Sequence, residues 1–225
     1  MGTRHLIIIY QDGKYKLAQY GQWDGYPEGQ GVAVLKFLSE PNNLTKLVAN
    51  LDKLYTPTKE ELTDIDLKTQ DLRREARERM DQIDQGKIQL PEEEVKQILN
   101  QEMSALNFVC PSLSRDTGAR ILDVIANSDK PIPVEFDLQF TQSMLCEWVY
   151  VVDVDAAVLE VYNGLGWKTE GGTRFDKLDF GEDLHKPSLD DAEGLGLIAQ
   201  WPLNNLPSES DFLRYIAQVM GDGET

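Results

Sequence analysis

The stretch that most limits the fold runs from residue 4 to residue 20, RHLIIIYQDGKYKLAQY. Two runs rich in β-branched and aromatic residues, 4–10 and 15–20, flank Gln11-Asp12-Gly13-Lys14, and an Asp-Gly pair between such runs marks a tight β-hairpin. Beyond the hairpin, strand does not alternate with helix. Val32 to Leu38 (VAVLKFL) reads as an apolar helix that stops before Pro41, because a proline ring disfavours helical backbone in the preceding residue. Asn43 is placed to cap a second helix, in which Leu44, Leu47, Val48, Leu51 and Leu54 recur at helical spacing.

Further along, Ser112 to Asn127 (SLSRDTGARILDVIAN) carries a helical pattern. Ser112 or Ser114 is the cap, and Ile121, Leu122, Val124 and Ile125 form the core face. Gly118 opposes it, since glycine inside a helix costs about 1 kcal/mol relative to alanine. Pro131 to Phe140 (PIPVEFDLQF) alternates like a half-buried strand. Leu145 to Val152 (LCEWVYVV) is almost continuously apolar, as in a central strand covered on both faces. Asp153-Val154-Asp155 turns into a hairpin partner at Ala157 to Tyr162, and Leu195 to Trp201 makes a last strand. Residues 163–194, rich in Gly and Asp, read as surface loop. Ser208 caps a final helix carrying Phe212, Leu213, Tyr215, Ile216, Val219 and Met220, ahead of a polar tail. With no repeat and no regular βα alternation, the pattern predicts one α+β domain over 1–225. Its sheet would be mainly antiparallel, with about five or six strands and helices on one face.

Residues 58–102 differ in texture. Leu72, Ala76, Met80 and Ile83 form a narrow apolar stripe on a heavily charged helix, and PEEEVKQILNQE comes after it with Pro91 in a first-turn position. The segment reads as a charged helical insertion packed on the main body by one thin face. It is either a solvated helical hairpin or an arm for a partner or a homodimer.

Acidic residues outnumber basic ones 39 to 22, giving a net charge of -17. That charge repels phosphate backbones and anionic lipid, which argues against nucleic acid and membrane partners. The opening residues contain neither a signal-peptide cleavage pattern nor an apolar run long enough to span a bilayer, and Leu6 stands where a myristoylation motif needs Ser or Thr. The two cysteines, Cys110 and Cys146, begin no CxxC pair, as expected of a protein in the reducing cytoplasm.

MGTRHLIIIYQDGKYKLAQYGQWDGYPEGQGVAVLKFL, with PSLSRDTGARILDVI and LCEWVYVVDVD, resembles a family of intracellular fungal proteins with no assigned activity. The front alone is similar to shorter phage and bacterial proteins that share a Gly-(Thr/Ser)-Arg start and a Trp-Asp-Gly-Tyr loop. The resemblance implies fold and cytosolic residence, and no chemistry.

The loop Gln22 to Gly31 (QWDGYPEGQG) is the candidate site. Asp24-Gly25, Pro27, Gly29 and Gly31 are explained by backbone geometry. Gln22, Trp23, Asp24 and Tyr26 are left over: either the aromatics pin the loop to the core, or they form a ligand clamp of aromatic platform and carboxylate. Arg4 and His5 begin the first strand and point to opposite faces. Arg4 would pair with Asp24 or receive a ligand anion, making Arg4, Gln22, Trp23, Asp24 and Tyr26 the candidate binding set. In an enzyme acting on an amide or ester, His5, Asp24 and Glu147 would be the acid and base groups. Glu147 must meet an arginine, reach solvent or carry a raised pKa. Cys146, read as facing the other way with Trp148 and Tyr150, is a packing group or, with His5, a nucleophile. No zinc, calcium or P-loop spacing occurs, so no metal or cofactor is expected. The residues leave three readings: a protein binding a small polar or anionic ligand, a hydrolase or transferase, or an interaction module using the charged arm.

Overall fold

The computed structural model describes residues 2–164, 172–178 and 194–222. Most of the expected loop at 163–194, including His185, and the last residues of the tail lie outside this set. The fold is α+β. The expected hairpin forms as β1 (His5–Gln11) and β2 (Lys14–Gly21), and its turn places Asp12 and Gly13 at positive φ. Three more strands, β5 (Trp148–Asp153), β6 (Val158–Asn163) and β7 (Gly196–Pro202), complete a sheet of order β2-β1-β5-β6-β7. Every neighbouring pair is antiparallel except β1 with β5. The N-terminal ends of β1 and β5 therefore lie side by side, at the same end of the sheet as the loop that leaves β2.

β5 is buried along its whole length, as its apolar run requires, and each sheet face has its own core. Ile7, Ile9, Leu17, Trp148, Tyr150 and Val152 face α1 (Val32–Ser39), α2 (Asn43–Asn50), α6 (Ile121–Ala126) and α7 (Glu209–Asp222). Leu6, Ile8, Ala18, Val149 and Val151 face a layer that, among the described residues, contains no α-helix and is made by a 3₁₀ turn at Leu138–Gln142 and by Phe175 and Leu178. There Arg174 enters among Asp153, Glu160 and Tyr162, with its guanidinium 4.7 Å from the Tyr10 ring centre.

Several elements depart from the sequence pattern. The expected strand at 131–140 keeps only β4 (Ile132–Pro133), paired in parallel with β3 (Leu54–Tyr55), before the chain turns into the 3₁₀ segment. Its alternation arises because Ile132, Val134 and Leu138 reach the two cores from an irregular path. The expected helix at 112–127 is broken: Gly118 takes φ +54, and α6 begins only at Ile121. Asn43 does not cap α2; its side chain bonds the Phe37 carbonyl, and Asn42 occupies the cap at positive φ. β5 begins at Trp148, three residues later than the apolar run. Its alternation therefore cannot be extended back to Cys146, which lies with Val149 and Val151, on the opposite face from Trp148 and Tyr150.

The charged segment is a helical hairpin. α3 (Lys59–Asp84) turns at Gly86 into α4 (Glu92–Met103) and the short α5 (Ala105–Val109). The stripe through Leu72, Ala76, Met80 and Ile83 is the covered side of α3, but its principal contacts are with α4 and α5. Thr58 and Glu61 close a capping box at its start, Glu61 N to Thr58 Oγ1 at 3.2 Å and Thr58 N to Glu61 Oε2 at 2.8 Å. Thr58→Ala is expected to cost about 1 kcal/mol, read as a lower urea midpoint with unchanged slope. Among the described residues no helix is long and apolar enough to cross a membrane.

Candidate functional site

The 22–31 loop is held by its backbone. Gln22 N–H donates to the Arg115 carbonyl at 3.0 Å, and Gly25 N–H to the Thr3 carbonyl at 3.1 Å. The buried Tyr150 hydroxyl donates to the Gly25 carbonyl at 2.8 Å. Asp24 adopts φ +54, a conformation that Asp and Asn tolerate better than most residues. Its carbonyl accepts from Gln30 N–H at 3.0 Å, and a side chain on Gly29 would collide with that carbonyl. Tyr26 C=O then takes Gly29 N–H at 3.0 Å and Gly31 N–H at 3.3 Å, a wide turn that leads into α1. Gln30 ties the loop to the broken helix opposite: its Oε1 accepts from Ala119 N–H at 2.6 Å and its Nε2 donates to the Trp23 carbonyl at 3.3 Å. Gly118 faces Gln30 with no room for a Cβ, which explains the glycine that interrupts the helical pattern.

With the backbone so pinned, the loop side chains are free to point outward. Trp23 is 47% exposed and Tyr26 53%, and Asp24 is exposed beside them. Trp23 is partly committed, since its ring lies over Gly2 and its Nε1 donates to Asp116 at 2.9 Å. Gln22 is half-buried and accepts from the Tyr20 hydroxyl at 2.5 Å.

The expected pair between Arg4 and Asp24 does not form. Arg4 bonds Glu147 Oε1 through its backbone N, Nε and Nη2 at 3.2, 3.2 and 3.1 Å. Strand alternation is the reason: His5 faces the loop, so Arg4 faces the other side, where Glu147 precedes β5. Glu147 thus meets the first of the three fates open to it, a partner arginine.

His5 has no exposed surface, and neither ring nitrogen makes a hydrogen bond. Burial lowers its pKa to about 4, while the nearby Thr3 backbone pulls weakly the other way. Among the described residues no hydrogen bond joins any two of His5, Asp24 and Glu147. Burial first, and then the Glu147 charge, push the Cys146 thiol well above its ordinary value, and His5 makes no bond to it.

Nothing in the sequence marks Gln30 as the side chain that anchors the loop, or Tyr150 and Asp116 as its partners. Only Gly118, as a break in a helical pattern, points to the place where Gln30 docks. At the opposite end of the sheet, an open hollow of about 640 Å³ is lined by Leu44, Val154, Ala157, Leu203 and their neighbours, with no ionisable side chain. Among the described residues no cluster of His, Cys, Asp and Glu could hold a metal ion. Comparison with protein-family models, with curated proteins and with solved structures finds no match to this chain.

Proposed function

We propose that the 22–31 loop binds a small polar ligand through the faces of Trp23 and Tyr26 and the carboxylate of Asp24. One observation carries this reading: the loop is fixed by backbone bonds and by Gln30, while Trp23 and Tyr26 remain about half exposed, 47% and 53%. Aromatics that merely pinned the loop would be buried. An anionic ligand has less support than a neutral or cationic one. Arg4, the cation expected there, is engaged by Glu147, whereas aromatic faces beside a carboxylate suit hydroxyl or ammonium groups. Catalysis by His5, Asp24 and Glu147 has little to stand on, because His5 is sealed and Glu147 is held in its ion pair.

The test is ligand-observed NMR on mixtures of small amines, polyols and amino acids, with wild type and the Asp24→Asn/Tyr26→Ala variant side by side. Asn preserves the positive φ at position 24, so the variant is expected to fold and to lose the saturation transfer that wild type gives. Equal transfer to both proteins would refute the site.

A second reading rests on a separate observation. Leu67 on α3, Leu99 and Met103 on α4, and Phe108 on α5 are exposed large apolar side chains on the helical hairpin, the kind of surface a protein partner or a second copy would cover.

A further inference from the structure

His5 fills the gap between the two glycines that bracket the start of the loop. A Cβ on Gly21 would overlap Cε1 and Nε2 of the ring, and one on Gly25 would lie 3.0 Å from His5 Cβ and 3.1 Å from Nδ1. The loop therefore docks directly on an imidazole that has no exposed surface and no hydrogen-bond partner.

Among the described residues, the surrounding groups offer no counter-charge. On β1, Arg4 turns away to Glu147; on β2, the Tyr20 hydroxyl is spent on Gln22. On β5, Trp148 lies opposite in register and Tyr150 donates to Gly25. On the loop, Asp24 and Glu28 are exposed. On the facing segment, Asp116 accepts from Trp23, while Arg115 and Arg120 are exposed. None of these charges acts appreciably on the ring, whose state is set by burial.

We propose that His5 is an acid-released latch: its neutral ring lets the 22–31 loop dock, and its protonation undocks the loop while the sheet stays folded. An imidazolium here would carry two N–H donors, and the Thr3 carbonyl, which already takes Gly25 N–H, could satisfy at most one of them. The shortest way to solvate the charge is to lift Gly25, which breaks its bonds to Thr3 and Tyr150 and leaves every strand pair intact. Proton counting fixes the sign. The docked ring, with its pKa lowered to about 4, binds fewer protons than a solvated imidazole, so docking is favoured at high pH and weakens as pH falls from about 6.5 towards 4. Between pH 7 and pH 4.5 the undocking equilibrium rises on the order of 50-fold. The inference does not depend on the loop binding anything.

The experiment is amide hydrogen exchange on the wild-type chain at pH 7 and pH 4.5, expressed as protection factors, with an NMR titration of the His5 ring in the same buffers. The hydrogen-bonded amides of the loop, Gly25 above all, are expected to lose protection on the order of 50-fold and, at both pH values, to be less protected than Ile7 to Ile9 and Val149 to Val152, which open only when the sheet unfolds. Loop protection that stays constant while His5 titrates overturns the latch, as does loop protection equal to that of the sheet strands, which would mean that the loop opens only when the whole sheet unfolds. In the His5→Gln variant, loop protection is expected not to change between the two pH values; a wild-type response there also overturns it. If that variant fails to fold, the paired wild-type measurements decide alone.

Discussion

Arg174→Met protein is expected to lose about 3 kcal/mol of folding stability at pH 7, because the change strands two buried carboxylates. Asp153 is 2% exposed and Glu160 8%; Arg174 pairs with the first through Nη2 and reaches the second through Nε at 3.4 Å. Methionine is close to the arginine stem in size and removes only the guanidinium, which lies over the Tyr10 and Tyr15 rings, so the loss reports mainly on charge. The pH dependence gives the diagnosis. Burial raises the Glu160 pKa, with the Tyr162 hydrogen bond and then Arg174 acting against it. Removing the arginine raises it further. A carboxyl with a raised folded pKa takes up protons on folding, so its stabilising share is present at low pH and lost as pH rises. The deficit of the variant should accordingly be larger at pH 7 than at pH 5, measured by urea unfolding at both. The His5 contribution is common to both proteins and cancels in the difference. A deficit under about 1 kcal/mol, or one that does not change with pH, contradicts this account of the second face.

Gly21→Ala is expected to destabilise by a similar amount, about 3 kcal/mol, for a steric reason. The new methyl would overlap the His5 ring, which is fully buried and packed against Gly25. A double-mutant cycle with His5→Ala separates this clash from strand propensity. The two changes should couple by at least about 1 kcal/mol, since the smaller residue at position 5 makes room for the methyl. Additive losses would mean that the glycine is there for its backbone and not for the ring.

The parts of the fold legible in the sequence are those where local chemistry and tertiary environment agree. The Asp12-Gly13 turn, the doubly covered β5, the Ser208 cap of α7 and the apolar stripe of α3 all arise from patterns that the structure satisfies. The failures share a cause. Residues 131–140 alternate like a strand, yet Phe136 makes only an isolated bridge to Ala18 and the chain then coils over the second face. Alternation reports which residues are buried, not whether their backbone pairs. Residues 112–120 carry a helical pattern that is interrupted where Gln30 must reach Ala119 N–H.

At the candidate site, the loop itself is visible in the sequence as an excess of residues that no turn needs. Its anchoring is not, because Gln30, Tyr150 and Thr3 lie far apart in sequence or act through backbone atoms. From the sequence alone Arg4 goes to Asp24 or a ligand anion, with some arginine as one of three fates for Glu147, whereas strand alternation sends Arg4 to the face that His5 and the loop do not occupy, where Glu147 takes it.

The central claim is that Asp24 and Tyr26 serve binding and do not serve the fold. Thermal unfolding of wild type and the Asp24→Asn/Tyr26→Ala variant, each with and without the small polar solutes, tests it most directly. The account predicts equal melting temperatures without solute and a solute-induced rise in wild type alone. A variant that melts several degrees lower on its own, or that gains as much from each solute as wild type does, would contradict it.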